Sequence, residues 1–433
     1  MPANEAPRLQ LALDEINLAQ AIRVAREAAS GGAVDIIEAG TPLIKSEGLE
    51  AVRALRREFP AIPILADMKT MDAGRLEVEM AAKAGATYVM ILGAASESTL
   101  KDAIAAGKNY GIKVGIDLVQ VEDAPALARQ AAAWGAALVS VHCPIDQQMQ
   151  GQNPFERLRA VAAAVDIPVA VAGGINSESA AEAVRSGASI VVVGGALTKA
   201  VDAKQAAADI KKAMTTGHGV ETALFKRGSA ERLREIFAAV STPNISDAMH
   251  RGGALPGILP IDRGMRFAGP VVTVRTLPGD WAKPVQAISE AKEGEVVVID
   301  AGNAGPAVWG ELATESCLQR KLAGVAVWGG VRDVDAIRAL RFPTFSSLVM
   351  PNAGEPKGFG EINVSIRIGA QTIEPGDWAI GDESGVVIVA KAMAVEISNR
   401  ANDVFERENR LRKEIRNARS LAEVAELLRW EKK

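Results

Sequence analysis

The sequence predicts an α/β chain whose first half closes into a (β/α)8 TIM barrel and whose second half is an α+β domain of mixed strands. Three observations carry this: a strand–helix rhythm repeated eight times, ionisable residues gathered at one end of the strands, and loss of the rhythm after Met214. The strands are short apolar, β-branched runs, beginning with LQLALD ending at Asp14, VDIIEAG around Glu38, IPILADMK ending at Lys69 and TYVMILG ending at Gly93. IKVGIDL ending at Leu118, ALVSVHC ending at Cys143, IPVAVAGG ending at Gly174 and SIVVVGG ending at Gly195 complete the set. Between them lie stretches of helical periodicity such as GLEAVRALRREF (Gly48 to Phe59) and SESAAEAVRSGA (Ser177 to Ala188). Near-continuous apolar strands imply burial on both faces, and βα units of roughly 25 residues fill the roughly 200 to 250 residues a barrel needs. An open doubly wound sheet is the alternative arrangement of the same units.

A length of 433 residues suits two domains. Hydrophobic residues at 48% and charged residues at 24% supply two globular cores, and aromatics at 4% leave Ala, Val, Ile and Leu to build them. A formal charge of -4 gives no basic field of the kind that binds nucleic acid. Cys143 and Cys317 are too few for a disulfide framework, and MPANEAPRLQ lacks the layout of a signal peptide. With no apolar run approaching the ~20 residues of a membrane span, a cytoplasmic protein is expected.

Asp14, Glu38, Asp67, Lys69, Asp117 and His142 each fall at or just after the last apolar residue of an expected strand. That is the face on which barrel enzymes keep their chemistry. A lone Asp there is commonly a helix cap, but burying several such groups together without a metal or substrate would cost several kcal/mol each. Glu38 and Asp67, on adjacent strands, offer hard oxygen ligands suited to Mg²⁺ or Mn²⁺. Lys69, two residues from Asp67, is expected to share its face and to bind an oxyanion. Gly173-Gly174 and Gly194-Gly195 stand after strands 7 and 8, where barrels often seat phosphate on close backbone N–H groups.

The runs IEAGTPLIKSEGLEAVRALRREFP, ADMKTMDAGRLEVEMAAKAGA, VHCPIDQQMQGQNPFERL, VAVAGGI and VVVGGALTKA resemble the 3-hexulose-6-phosphate synthase family of the orotidine-monophosphate decarboxylase superfamily. The resemblance spans about Arg8 to Met214 and includes a D-x-K-x-x-D signature at Asp67, Lys69 and Asp72. It implies condensation of formaldehyde with the sugar phosphate D-ribulose 5-phosphate. It also implies that Glu38 and Asp67 hold the metal, that His142 shuttles a proton, and that Asp14 and Lys69 bind substrate oxygens. Asp72 resembles a residue given to the neighbouring subunit's site, which implies a homo-oligomer, a barrel dimer. The sister activity is decarboxylation of 3-keto-L-gulonate 6-phosphate. Asp117 stands where that branch has Glu, Gly195 where it has a phosphate-binding Arg, and H-x-x-x-D-x-Q-x-x-G from His142 to Gly151 resembles the synthase. Together these favour the synthase.

The segment TTGHGVETALFKRGS, residues 215 to 229, reads as a linker between a barrel domain of residues 1 to 214 and a second domain of residues 230 to 433. After the helical AERLREIFAAV, the strands GPVVTVRTLPGD, EVVVIDAGN, GVAVWGGVRD, INVSIRI and GVVIVA are punctuated by Gly and Pro. Gly329-Gly330 reads as a turn, and His250 follows an expected helix start at Ser246-Asp247. The closing charged helices are expected to pack through Val395, Ile397, Val404 and the leucines near the end, with their charges solvated.

STPNISDAMHR, VVVIDAGNAGPAVWGELATESCLQRKLAGVAVWGGVRDVDAIR, GFGEINV and PGDWAIGDESGVVIV resemble a second family, the regulator of ribonuclease activity A family with its class II 4-hydroxy-4-methyl-2-oxoglutarate aldolases, over about Ala230 to Arg410. The resemblance implies a swivelling β/β/α fold. Its aldolase members separate an acidic residue from an Arg-Asp pair, as Glu311 is separated from Arg332-Asp333. Arg332 could then hold the carboxylate of a 2-oxo acid, Asp333 could anchor Mg²⁺, and Glu311 could position a water. Ala336 holds the place of a further acidic residue in that family, with Asp335 beside it. The competing reading of this half is a non-catalytic module that binds a protein partner.

Overall fold

The computed structural model describes residues 6–222, 228, 230–417 and 419–424. The chain divides into two compact units. One takes the described residues of 1–148, 152–227 and 406–433, the other those of 149–151 and 228–405. Residues 223–227 and 229 of the expected linker lie outside the described residues. The helix Ala394–Arg416, expected wholly within the second domain, passes at Glu406 into the barrel unit.

The barrel strands are β1 (Arg8–Leu13), β2 (Ile36–Ala39), β3 (Ile64–Thr70), β4 (Tyr88–Leu92), β5 (Lys113–Asp117), β6 (Leu138–His142), β7 (Val169–Ala172) and β8 (Ile190–Val193). Neighbours pair in parallel, and β1 also pairs β8, which closes the ring and excludes the open sheet. Alternation along each strand divides the side chains. Leu9, Leu11 and Leu13 of β1, Ile37 of β2 and Val191 of β8 face the surrounding helices. Ala12, Ile36, Leu65, Tyr88, Met90, Leu138, Ala170, Ile190 and Val192 fill the interior. A Cβ at Gly115 would lie 2.5 Å from Met90 Sδ and 3.0 Å from Leu138 Cγ, so β5 contributes empty volume that these two larger side chains occupy.

In the second unit the strands are β9 (Leu259–Pro260), β10 (Phe267–Arg275), β11 (Val296–Asp300), β12 (Gly324–Val331), β13 (Thr344–Val349), β14 (Glu361–Ile362), β15 (Ile366–Ile368), β16 (Gln371–Ile373), β17 (Trp378–Asp382) and β18 (Gly385–Val389). The main sheet runs β18-β17-β10-β11-β12-β13-β9. Its centre, β10 to β13, is parallel and crossed by the helices Ala282–Glu290, Glu311–Gln319 and Val334–Leu340, while β17, β18 and β9 pair antiparallel. The whole is therefore α/β, with a mixed sheet after the barrel.

Two local expectations are corrected. Gly329-Gly330 is no turn but part of β12, where a Cβ on Gly329 would meet that of Ala301 at 2.7 Å. The helix before His250 starts at Thr242, not Ser246, because Ser241 and Asn244 form a capping box.

The long helix also packs differently from its expected apolar face. Ile397 is buried and Val395 and Val404 are half-buried, but Leu421 is exposed, and Leu427 and Leu428 lie outside the described residues. In the barrel unit the buried residues of this helix are Glu406, Arg410 and Glu414. No helix among the described residues is long and apolar enough to cross a membrane.

Candidate active site

At the C-terminal ends of the barrel strands a cavity of about 170 Å³ is lined by Asp14, Glu38, Asp67, Lys69, Asp117 and His142, with Gly173, Gly174, Gly194 and Gly195 on its rim. Period two explains most of this. Ala12 and Asp14, Ile36 and Glu38, Leu65 and Asp67, and Leu138, Ser140 and His142 each continue one inward-facing series.

Lys69 keeps the inward parity of Leu65 and Asp67 but lies where the regular ladder is interrupted. The register of β3 against β4 slips between Asp67 and Thr70, and Lys69 takes a left-handed backbone (φ 48°). Its side chain reaches the cavity on the same face as Asp67, where Nζ lies 2.6 Å from Asp67 Oδ2 and 2.9 Å from Asp117 Oδ2. His142 Nδ1 stands 3.5 Å from the same Asp117 oxygen. Asp67, Lys69, Asp117 and His142 thus form one connected line of polar contacts.

Burial pushes the Asp117 carboxyl up, but His142 and the Lys69 ammonium outweigh it and hold the group down at about 2. Glu38 behaves in the opposite sense. Burial, then the neighbouring Asp67 and Asp14, drive its carboxyl well above the ordinary range. Asp14, open to solvent at the mouth, is raised by desolvation of its inner side and then by Asp67.

Sequence reasoning missed two residues that hold these carboxylates. Gln10 Nε2 donates to Glu38 Oε2 at 2.5 Å from deep within β1. The Thr41 hydroxyl donates to Asp67 Oδ2 at 3.0 Å. Gln10 lies in the inward register with Ala12 and Asp14, and a buried amide in an otherwise apolar strand was the available signal.

Of the rim glycines, Gly173 is the one that close approach requires. Gly173 (φ 108°) would place a Cβ 2.5 Å from the Cys143 carbonyl oxygen, and Gly194 caps the short helix Gly195–Thr198. Asp72 is not in the cavity: it is exposed beyond β3, and its Oδ1 accepts from Ala73 N–H.

A cation fits this donor set. Asp67 Oδ1 is buried without a hydrogen-bond partner, and four carboxylates, Asp14, Glu38, Asp67 and Asp117, share one mouth. Among the described residues no cluster of three or more His, Cys, Asp or Glu is arranged as a ready metal cage. Mg²⁺ usually needs only one or two protein carboxylates, because it keeps several waters.

In the second unit Glu311, Arg332 and Asp333 also come together. The Arg332 N–H donates to Trp309 O at 3.0 Å, laying the end of β12 beside the start of the helix Glu311–Gln319. Glu311 N–H donates to Asp333 Oδ2 at 3.2 Å, and Arg332 Nε lies 3.4 Å from the same oxygen. All three residues are exposed, and so is Asp335, which pairs with Arg338 at 3.3 Å.

Comparison with known proteins agrees with both halves. Residues 7–210 match the orotidine 5′-phosphate decarboxylase / HUMPS family model, and residues 242–388 match the RraA-like model, described as Aldolase/RraA. Over 210 residues the chain is 36% identical to the 3-hexulose-6-phosphate synthase of Bacillus subtilis (strain 168), covering 48% of this chain and 99% of that protein. Over 202 residues it is 41% identical to the 3-hexulose-6-phosphate synthase of Methylomonas aminofaciens, covering 46% and 96%. The solved structure of 3-hexulose-6-phosphate synthase from Salmonella typhimurium is 36% identical over 49% of this chain and 100% of that one, with a TM-score of 0.47. A closed parallel barrel with these relatives, ending in a carboxylate, lysine and imidazole cluster, is an aldolase-type enzyme, a carbon–carbon lyase. The chain belongs to the orotidine 5′-phosphate decarboxylase / HUMPS family and carries an RraA-like domain after the barrel.

Proposed function

We propose that the barrel condenses formaldehyde with D-ribulose 5-phosphate to give D-arabino-hex-3-ulose 6-phosphate. The observation that carries this is the line Asp67–Lys69–Asp117–His142 beside the raised carboxyls of Glu38 and Asp14. His142, oriented by Asp117, removes the proton from C1 of the sugar. The carbon then attacks formaldehyde, a carbon–carbon bond forms, and the former carbonyl oxygen takes a proton. Lys69 and Asp14 hold the sugar's oxygens in place, and the glycine rim at Gly173, Gly174, Gly194 and Gly195 receives the phosphate. Glu38 and Asp67 would hold Mg²⁺ or Mn²⁺, which when bound supplies positive charge opposite the sugar's developing negative charge.

The test assays one preparation with ribulose 5-phosphate plus formaldehyde and, separately, with 3-keto-L-gulonate 6-phosphate. An enzyme indifferent to formaldehyde, or one active only in decarboxylation, overturns the reading. Asp67→Ala is expected to lower metal-dependent synthesis by roughly 10³-fold, as the loss of several kcal/mol of charge stabilisation requires.

The contact of Glu311, Arg332 and Asp333 supports a second reading, for the RraA-like half: a metal-dependent site for a 2-oxo acid. Oxaloacetate decarboxylation by the full chain with Mg²⁺ should disappear in Asp333→Ala while hexulose phosphate synthesis persists. A wild-type chain inactive on oxaloacetate would leave this half the role of a partner-binding module.

A further inference from the structure

Glu406, Arg410 and Glu414 recur every four residues on the C-terminal helix, and all three are buried in the barrel unit. A helix ordinarily buries an apolar stripe, and a buried charge is tolerated only when partners compensate it. The partners of Arg410 show what the stripe holds. Its Nη1 donates to Ala200 O at 2.9 Å and its Nη2 to Glu27 Oε2 at 2.8 Å. Lys413 Nζ donates to Glu27 Oε1 at 2.8 Å and also to Val201 O. Glu27 Oε1 in turn accepts from Ala203 N–H at 3.0 Å, at the start of the helix Ala203–Thr216. Two carbonyls of the turn at 200–203 are therefore tied directly to the long helix and one N–H to it through Glu27, and this turn directly follows Gly194, Gly195 and the short helix ending at Thr198.

Across that short helix lies the end of β1. Glu15, the neighbour of Asp14, is held by the Thr198 side chain and feels the charge of Arg410, while its Oε2 is buried without a hydrogen-bond partner. The turn that carries Asp14 and the loop that carries the β8 glycines thus share Thr198 and Arg410. The barrel aligned to the Bacillus relative accounts for 99% of that protein, and the family match ends at residue 210. The helix from Glu406 onward is an addition to that shared barrel.

We propose that Arg410 is a positioning residue for the phosphate seat. Through Ala200 and Glu27 it fixes the Gly194–Thr198 segment against the Asp14–Glu15 turn, so the far end of the chain completes the barrel's active site. The assignment rests on the reading of Gly194 and Gly195 as the phosphate seat.

The experiment compares full-length wild type, Arg410→Met and Arg410→Lys by amide hydrogen exchange at Leu197 to Ala200 and by KM and kcat for ribulose 5-phosphate. In Arg410→Met, exchange at these amides and KM should each rise roughly tenfold with kcat within about twofold, since substrate placement and not the reacting groups is disturbed. Arg410→Lys, which keeps the charge but lacks the two-pronged fork, should fall between. A folded Arg410→Met with wild-type exchange at Leu197 to Ala200 overturns the proposal, and so does faster exchange with unchanged KM. Faster exchange in a protein whose wild type ignores ribulose 5-phosphate upholds the link to the loop and overturns the substrate reading instead. Should Arg410→Met fail to fold, Glu27→Gln loosens the same turn from its other side, with the same expected and overturning results.

Discussion

The ammonium of Lys69 lies 2.9 Å from Asp117 Oδ2, joining β3 to β5 across the mouth of the barrel. Asp117 is held at about 2 against an ordinary 3.8, so it binds its proton less readily folded than unfolded. A carboxylate depressed in this way stabilises the fold above its unfolded value and loses that contribution as pH falls through the folded one. Thermal stability should therefore fall between about pH 4 and pH 2 by on the order of 2 kcal/mol for this group. Lys69→Met should flatten that acid slope and abolish turnover. Melting curves across this range that are the same in both proteins would contradict the assignment.

Glu38 carries the reverse sign. Its raised carboxyl means that ionisation disfavours folding at any pH above the unfolded value of 4.5. In metal-free protein at pH 8, Glu38→Gln is expected to raise the melting temperature by on the order of 3 °C while eliminating synthesis, since an amide keeps the Gln10 contact without the charge. Calorimetry in a chelator checks this, and a lower melting temperature would count against the crowded-carboxylate account.

Asp72 is exposed beside Met71, Leu76 and Met80, which are also exposed, as a residue serving a partner barrel would be. Asp72→Ala should leave stability within about 0.5 kcal/mol of wild type yet cut activity strongly. Mixing it with inactive His142→Ala should restore about a quarter of wild-type activity, because half of a random dimer population would carry one complete site. No recovery on mixing, or a chain that sediments as a monomer, would remove Asp72 from the site.

Gly40 sits where β2 gives way to its helix, and a Cβ there would lie 2.2 Å from Asp14 Oδ1 and 2.5 Å from the Leu13 carbonyl. The backbone oxygen cannot swing aside, so Gly40→Ala should displace Asp14 and cost about 1–3 kcal/mol of stability with a larger loss of activity. Chemical denaturation alongside kinetics measures both. A variant as active as wild type would show that Asp14 does not touch the substrate.

Most of the barrel was readable because its strands are buried on both faces and its polar residues keep to one end. Period two placed Glu38, Asp67 and His142 inward without further information. It also put Lys69 on the face of Asp67, but did not show the interruption of the ladder there, since a bulge depends on the neighbouring strand. Gln10 was overlooked because one amide inside LQLAL hardly alters an apolar pattern. The stripe of Glu406, Arg410 and Glu414 was read as solvated because charge on a helix usually is. Only its partners at Glu27 and Ala200, hundreds of positions earlier in the chain, show otherwise. The helices that cross the second sheet are only 7–9 residues long, too short to stand out among its Gly and Pro punctuation.

Met90 and Leu138, spreading into the volume that Gly115 leaves vacant, fill the barrel interior and form part of the cavity's lining. The cavity above them opens through the doorway formed at the C-terminal ends of the strands. A phosphorylated sugar seated in that doorway would stand in the path of a smaller molecule that followed it, and the order of arrival would then be a property of the architecture as well as of the chemistry.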